Sequence, residues 1–292
     1  MNDEQFLADR FEEHRTHLRS VAYRMLGSVT DADDAVQEAW LRLARTDTSD
    51  VGNLGGWLTT VVGRVCLDML RTRKVRQEEP LEIENLPDPV VGAPSGPDPE
   101  HEALLADSVG LALLVVLDSL SPAERLAFVL HDMFAVPYEQ IAPIVDRTPQ
   151  TAKKLASQAR RRIQGEVPSP DTDLPRQRRV VDAFLAAARD GEFDELVRIL
   201  DPDVVLRADT GDLRVIRGRT LVAGQAETFR RMATLCITHP AVINGGAGLV
   251  NTIDGAPFSI MSFTVVGDRI SAIDILSDRE RLAGLDLTAV LG

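Results

Sequence analysis

LDSLSPAERLAFVLHDMFAVPYEQIAPIVDRTPQTAKKLASQARRRI, residues 117–163, is the most informative stretch of this chain. Its last part, Arg147 to Arg162, carries six basic side chains and no acidic one, inside a 292-residue chain of formal net charge -13. Such a local reversal of sign concentrates positive field where a polyanion can dock. Thr148 suits a helix N-cap and Pro149 the first helical position, and Ala152, Leu155, Ala159 and Ile163 fall on one stripe. Gln150, Thr151, Lys153, Lys154 and Ser157 are left facing outward. Upstream, Ser121, Pro122 and Glu124 read as the cap, first residue and capping-box partner of another helix, with Leu126, Val129, Leu130 and Met133 on its buried face. A short helix near Tyr138 to Ile144 lies between, and Pro143, which removes a backbone donor, should shorten or bend it. Helix, tight turn, basic helix is the helix-turn-helix order, in which the second helix presents its N-terminal side chains to base edges. The bland alternative, a solvated basic face, explains the charge but not its agreement with caps and spacing.

For the chain as a whole, the length allows two or three domains, each with its own core. No apolar run approaches the ~20 residues of a membrane span, and the N-terminus lacks the basic-then-apolar order of a secretion signal. A cytoplasmic protein with no membrane partner is expected. Cys66 and Cys236 sit far apart among apolar residues without metal-ligand spacing, so buried free thiols are expected, with no metal and no cofactor. The acidity is uneven. Residues 78–107 hold nine acidic and no basic side chains, whereas residues 108–165 hold seven basic and five acidic. A globally acidic chain can therefore present basic patches.

From Glu4 to Val75 the pattern is helical, with turn signals at Gly27 to Asp31 and Thr46 to Gly56. Phe11, Leu18, Val21, Ala22, Met25 and Leu26 form one buried stripe; Ala35, Val36, Ala39, Trp40 and Leu43 form another. Asp31, Asp33 and Asp34 suit a helix N-terminus. GWLTTVVGRVCLDMLRTRKVR, starting at Gly56, carries Arg64, Arg71, Arg73, Lys74 and Arg76 against Asp68 alone. That is a second positive patch, although cations at a helix C-terminus are favourable by themselves.

These segments in this order, DADDAVQEAWLRL (residues 31–43), the Trp57 helix and the helix-turn-helix, resemble domains 2 and 4 of bacterial extracytoplasmic-function sigma factors over about the first 165 residues. The resemblance implies core RNA polymerase and promoter double-stranded DNA with a melted -10 region as partners. It implies polymerase docking by Asp33, Asp34, Gln37 and Glu38, and engagement of the -10 element by Trp57, Arg64, Asp68, Arg71, Arg73 and Lys74. For the -35 element it implies Thr148, Gln150, Thr151, Lys153, Lys154, Ser157, Arg160 and Arg161. Val65 departs from a family pattern that often has Asn there. Arg and Lys set register on phosphates while an unstacked base is captured, so no catalytic residue is expected. Few aromatics are present for single-strand stacking, which makes the polymerase platform necessary.

Residues 78–107 hold Pro80, Pro87, Pro89, Pro94, Pro97 and Pro99 among the nine acidic side chains, a composition that resists a packed core and predicts an extended tether. ENLPDPV, Glu84 to Val90, resembles a Trp-Leu-Pro-Glu-Pro motif of one sigma subgroup, with Asn85 in the Trp position. Beyond Ile163 and a break at Val167 to Pro175, the chain continues for over a hundred residues. Arg178 to Arg189 and Glu192 to Leu200 read as helices. Strands are expected at Val204 to Ala208, Leu213 to Arg217, Ile237 to Ile243, Leu249 to Ile253, Phe258 to Val266 and Arg269 to Leu276. Asp254-Gly255 and Gly267-Asp268 supply hairpin turns.

Helices followed by a curved antiparallel sheet make an α+β cone, and the order resembles the SnoaL-like, nuclear-transport-factor-2-like superfold. The expected fold class is thus multidomain: two all-α sigma domains (1–77 and 108–165), an acidic linker (78–107) and an α+β SnoaL/NTF2-like cone (168–292). The superfold leaves room for a small ligand in a C-terminal pocket, where Asp209, His239 and Asp254 are the polar residues of interest. The whole chain resembles the sigma-J type, in which the extension tunes sigma activity. ADTGDLR (Ala208 to Arg214) and LSDRERL (Leu276 to Leu282) resemble its signatures, which makes Asp209, Arg214, Asp278 and Arg281 candidates for fastening the extension to the linker or domain 2. Turn chemistry and surface pairs, each worth at most about 1 kcal/mol, are the alternative. Two rival functions stay open: a one-component DNA-binding regulator with a ligand-sensing C-terminal domain, and an enzyme positioned by its helical half.

Overall fold

The computed structural model describes residues 3–46, 52–76, 85–94, 110–166 and 173–292. Pro80, Pro97, Pro99, part of the Thr46 to Gly56 turn and most of the Val167 to Pro175 break lie outside the described residues. The chain forms two compact units: Met1–Glu82 with Val116–Glu166, and Ile83–Val115 with Val167–Gly292.

The first unit is helical. α1 (Asp3–Leu26), α2 (Val29–Leu43) and α3 (Leu54–Arg76) pack on one another through Leu18, Val21, Met25, Val36, Leu43, Leu58, Val62 and Leu67. Ser28, whose hydroxyl accepts from the Asp31 N–H, caps α2. This places the cap three residues before the first Asp of the acidic run, so the carboxylates occupy the first turn and its outer face. The last turn of α4 (Leu111–Asp118) leads into α5 (Pro122–Phe128), which opens with the full capping box of Ser121 and Glu124. α5 runs directly into a π turn at Val129–Met133. Its end is closed by Ala135 at φ 54°, with the Val136 N–H donating to the Leu130 carbonyl. α6 (Tyr138–Ile141) ends two residues before Pro143, as the missing donor requires, and α7 (Pro149–Glu166) comes after a turn containing Asp146 at φ 54°.

Both halves of this unit touch. The Arg125 guanidinium, 3% exposed, donates from Nε to the Arg24 carbonyl (3.1 Å) and pairs with Asp118. Arg24 lies over the Phe134 ring at 4.9 Å, and His17 meets the same ring edge-on. Cys66, buried in α3, is a free thiol whose pKa burial pushes up to about 12, which makes it inert. Cys236 is also free but only half-buried, against the expectation of burial, because it sits at the exposed entry to a strand.

The second unit is an α+β cone in which helices pack on one mixed sheet. α8 (Leu174–Asp190) and α9 (Phe193–Ile199) precede β2 (Leu200–Asp209) and β3 (Leu213–Arg217). Two helices that the sequence pattern does not announce, α10 (Arg219–Ala223) and α11 (Ala226–Leu235), then lead to β4 (Ile237–Ile243), β5 (Gly246–Ile253), β6 (Ala256–Val266) and β7 (Arg269–Leu276). Short α12 (Arg279–Ala283) and α13 (Thr288–Leu291) finish the chain. The sheet order is β1-β4-β5-β6-β7-β2-β3, where β1 is Val91–Gly92 from the acidic linker. All pairings are antiparallel except β2 with β7. One sheet face packs Leu206, Leu249, Phe263, Val265 and Ile273 under Val181, Phe184 and Ala188 of α8; Val91, Ile243, Val250, Ile260, Leu276, Leu282 and Leu287 form a second cluster. Asn244-Gly245 and Asp254-Gly255 both take positive φ, which matches the right-handed twist of the strands they join.

The linker corrects an expectation. Its composition argues for an unpacked tether, yet in residues 85–94 the side chains of Leu86, Pro87, Pro89, Val90 and Val91 are buried. Gly92 and Val91 pair with Val242 and Ile243 of β4. Composition misleads here because the partners that satisfy this backbone come from residues more than a hundred positions away.

Candidate functional site

Four groups of side chains bear on function. On α7, Thr148 accepts from the Thr151 N–H (3.3 Å) and so caps the helix, leaving Gln150, Lys153, Lys154 and Arg161 exposed. Ala152, Ala156 and Ala159 form the fully buried stripe, with Leu155 and Ile163 only half-buried. Thr151 and Ser157 are also half-buried, and the Ser157 hydroxyl donates back to the Lys153 carbonyl. Arg160 differs from the rest. Its Nε donates to Asp132 of the π turn at 2.5 Å and its Nη2 to the Tyr138 hydroxyl at 2.9 Å.

On α3, Arg64, Asp68 and Arg71 stand exposed at a spacing that aligns them on one helix face, and Trp57 is half-buried near the start. Arg73 is half-exposed, paired with Asp31 in the first turn of α2 and reaching the Leu26 carbonyl. The Lys74 side chain lies outside the described residues.

On α2, Asp33, Asp34 and Gln37 are exposed, Asp33 being paired with Arg19 at 2.6 Å and Glu38 with Arg42 at 2.9 Å. Asp33 and Gln37 line a cleft of about 380 Å³ with Phe11, Val36 and Trp40, the Phe11 and Trp40 rings being 5.2 Å apart. Glu12 and Arg15, themselves paired, also line the cleft, so its rim is of mixed charge around the half-buried Trp40.

The fourth group lies in the cone. Asp209, fully buried at the end of β2, accepts from the Leu86 N–H (2.9 Å), the Gly211 N–H (3.1 Å) and Arg281 Nη1 (2.6 Å). Arg281 also donates from Nη2 to the Leu86 carbonyl and to Asp88. Asn244 accepts from the Val90 N–H (3.1 Å), and the Val90 carbonyl accepts from the Asn244 N–H (2.9 Å). Together these clasp the linker at both ends of its Pro-containing stretch. Of the four candidates, Asp209 and Arg281 meet there. Asp278 caps α12 by accepting from the Arg281 N–H and so sets the angle of that arginine. Arg214 stands exposed opposite Ala208, on the other sheet face from Asp209. A buried clasp is not the surface pairing that the sequence suggests as the alternative. Leu86 and Asp88 belong to the ENLPDPV stretch that the sequence singles out, whereas nothing in the sequence marks Asn244 as part of the clasp.

Asp209, His239 and Asp254 do not converge. His239 meets Thr252 (3.1 Å) between β4 and β5, and Asp254 sits exposed in the β5–β6 turn. Among the described residues, no group of His, Cys, Asp and Glu could hold a metal, and no helix is long and apolar enough to cross a membrane. Asp274 is, among the described residues, the other buried carboxylate of the cone. Burial pushes its carboxyl above the ordinary range, opposed by the charge of and hydrogen bond from Arg207 at 2.8 Å, and its Oδ2 has no hydrogen-bond partner.

Two family models match: sigma-70 region 2 over residues 10–76 and sigma-70 region 4 over residues 110–163. The ECF RNA polymerase sigma factor SigJ of Mycobacterium tuberculosis is 41% identical over 276 residues, covering 91% of this chain and 86% of the relative. A second protein of that organism, described as a probable ECF RNA polymerase sigma factor, SigI, is 33% identical over 264 residues, 90% of each chain. The crystal structure of the M. tuberculosis extracytoplasmic function sigma factor SigJ superposes with a TM-score of 0.76 at 33% identity, covering 96% of this chain and 99% of that one. The helical region 2, the helix-turn-helix of region 4 and the fused cone therefore form one continuous likeness, and the chain belongs to the ECF RNA polymerase sigma factors.

Proposed function

We propose that this protein binds core RNA polymerase, directs it to a specific promoter, and is tuned by its own C-terminal cone. The observation that carries the reading is the joint presence of two exposed cationic helix faces, Arg64 with Arg71 and Lys153 with Lys154, on region 2 and region 4 folds. α3 engages the melted -10 region through Trp57, Arg64, Asp68 and Arg71; Arg73 is held by Asp31 and supports that helix. α7 presents Gln150 and Thr151 to base edges at the -35 element while Lys153, Lys154 and Arg161 hold phosphates. The carboxylates of α2 and the cleft beside Trp40 dock the polymerase. Synthesis belongs to the polymerase, so the chain needs no nucleophile of its own.

The clasp supplies the tuning. While Asp209 and Arg281 hold Leu86 and Asp88, part of the tether between regions 2 and 4 is fixed to the cone, and the two DNA-reading surfaces cannot move on its full length. A one-component regulator uses no polymerase-docking face, and the Asp209 carboxylate is taken up by the clasp with Leu86, Gly211 and Arg281.

DNA binding is tested by salt dependence of the complex with core polymerase on duplex containing the -35 element. Each phosphate contact contributes about -0.9 to the slope of log affinity against log salt. Lys153→Ala with Lys154→Ala is expected to flatten the slope by about 1.8 and to weaken binding at least tenfold. An unchanged slope removes these lysines from the interface.

A further inference from the structure

One side chain on α7 is tied down by both elements that precede the helix. Arg160 lies two helical turns below Lys153, on nearly the same face, since seven residues span about 700° of helix. Its guanidinium bonds Asp132 on the π turn and the hydroxyl of Tyr138, the first residue of α6. Tyr138 in turn is stacked on His131, ring centroids 3.8 Å apart and 24° from parallel, and the His131 Nδ1 sits 3.0 Å from the Val136 carbonyl. The π turn explains why Asp132 is there. A five-residue repeat places one extra residue in the turn and rotates the downstream backbone by about 100° relative to an α-helix, which brings Asp132 round toward α7. Asp132 and Tyr138 take two of the five N–H donors of the planar fork, whose pKa is raised chiefly by the Asp132 hydrogen bond.

We propose that Arg160 is a positioning residue of the -35-reading helix and not a phosphate contact: clamped between Asp132 and Tyr138, it fixes the roll of α7 so that Gln150, Thr151, Lys153 and Lys154 face the groove together. This rests on the promoter-binding reading above and corrects the role that family resemblance gives Arg160. To present the Nε edge of its fork bidentately to a phosphate, the guanidinium must first leave Asp132. A clamped one transmits the geometry of the π turn and α6 to the reading face.

The test uses the full chain assembled with core RNA polymerase, on a promoter selected by the wild-type assembly from a randomised DNA pool. Occupancy is compared between the selected -35 element and a scrambled one, across a range of salt. Asp132→Asn removes a negative charge beside a polyanion, so electrostatics alone would strengthen binding. The clamp predicts the opposite, a loss of about tenfold in preference for the selected element with the salt slope unchanged. Tyr138→Phe is expected to shift preference in the same direction by less. Tighter binding by Asp132→Asn with a steeper slope, an unchanged preference, or equal loss on both elements would each overturn the proposal. If Asp132→Asn fails to fold, the Arg160 Nε–H resonance of the wild-type chain decides instead: it stays in place on DNA addition if clamped and moves if it joins a phosphate. Failure of the wild-type assembly to prefer any promoter counts against the promoter-binding reading itself, a separate outcome.

Discussion

Arg281→Ala is expected to release the linker from the cone. The substitution leaves Asp209, fully buried, with two backbone N–H donors and no cation, and removes the donors to the Leu86 carbonyl and Asp88. Removing one partner of a buried ion pair costs roughly 3–5 kcal/mol; the two surviving N–H bonds put this case near the lower end. Opening of the segment around Leu86 to Gly92 should become about a hundredfold more frequent, read as lost hydrogen-exchange protection at the Leu86 and Gly92 amides. Arg281→Lys should restore only part of it, because an ammonium cannot reach three acceptors in the planar arrangement of a guanidinium fork. Transcription by the assembly with core polymerase should change along with protection. Unchanged protection would show that the clasp does not hold the linker, and unchanged transcription with lost protection would remove it from regulation.

Arg207→Ala is expected to be the most destabilising single change in the cone. Arg207 supplies the positive charge that offsets the desolvation of Asp274, whose side chain is fully buried. Without it an uncompensated carboxylate remains inside the sheet, at a cost of roughly 3–5 kcal/mol. The pH dependence gives the signature. Burial already holds the Asp274 carboxyl above its unfolded value of about 3.9, and losing Arg207 raises it further. A group whose folded pKa exceeds its unfolded pKa binds more protons when folded, so stability falls as pH rises from the unfolded value through the folded one. The variant should therefore be weakest at neutral pH and recover relative to wild type as pH is lowered toward about 4. Thermal unfolding across that range checks it; a deficit that is independent of pH would mean that lost packing, not charge, dominates.

Much of the architecture is legible in local chemistry. Ser121, Pro122 and Glu124 mark the start of α5, Thr148 and Pro149 that of α7, and β-rich runs find β3, β4 and β7 at their observed ends, because each signal is satisfied within a few residues. Pro143 likewise stops α6 as its missing donor demands. Long-range partnership is the part that local chemistry leaves out. Leu86 meets Asp209 and Arg281 across 123 and 195 positions, so an acidic Pro-rich run that cannot fold by itself becomes a seated strand once those partners exist. The π turn is hidden for a related reason: its helical pattern is ordinary, and the extra residue shows only in the backbone hydrogen bonding of Val129–Met133. Among the site residues, basic character alone could not separate the exposed Lys153 and Arg71 from Arg160 and Arg73, which are paired with carboxylates at the partly exposed surface.

If two cationic surfaces of this chain direct a polymerase to a promoter, transcription in vitro should depend on both. It is measured with core RNA polymerase and the full chain, and with a chain ending at residue 166, on DNA carrying a selected promoter. Discrete transcripts are expected that require this protein and disappear when the -10 or -35 element is scrambled. No promoter-dependent transcript from either form, under conditions where the polymerase is active with another sigma factor, would contradict that role.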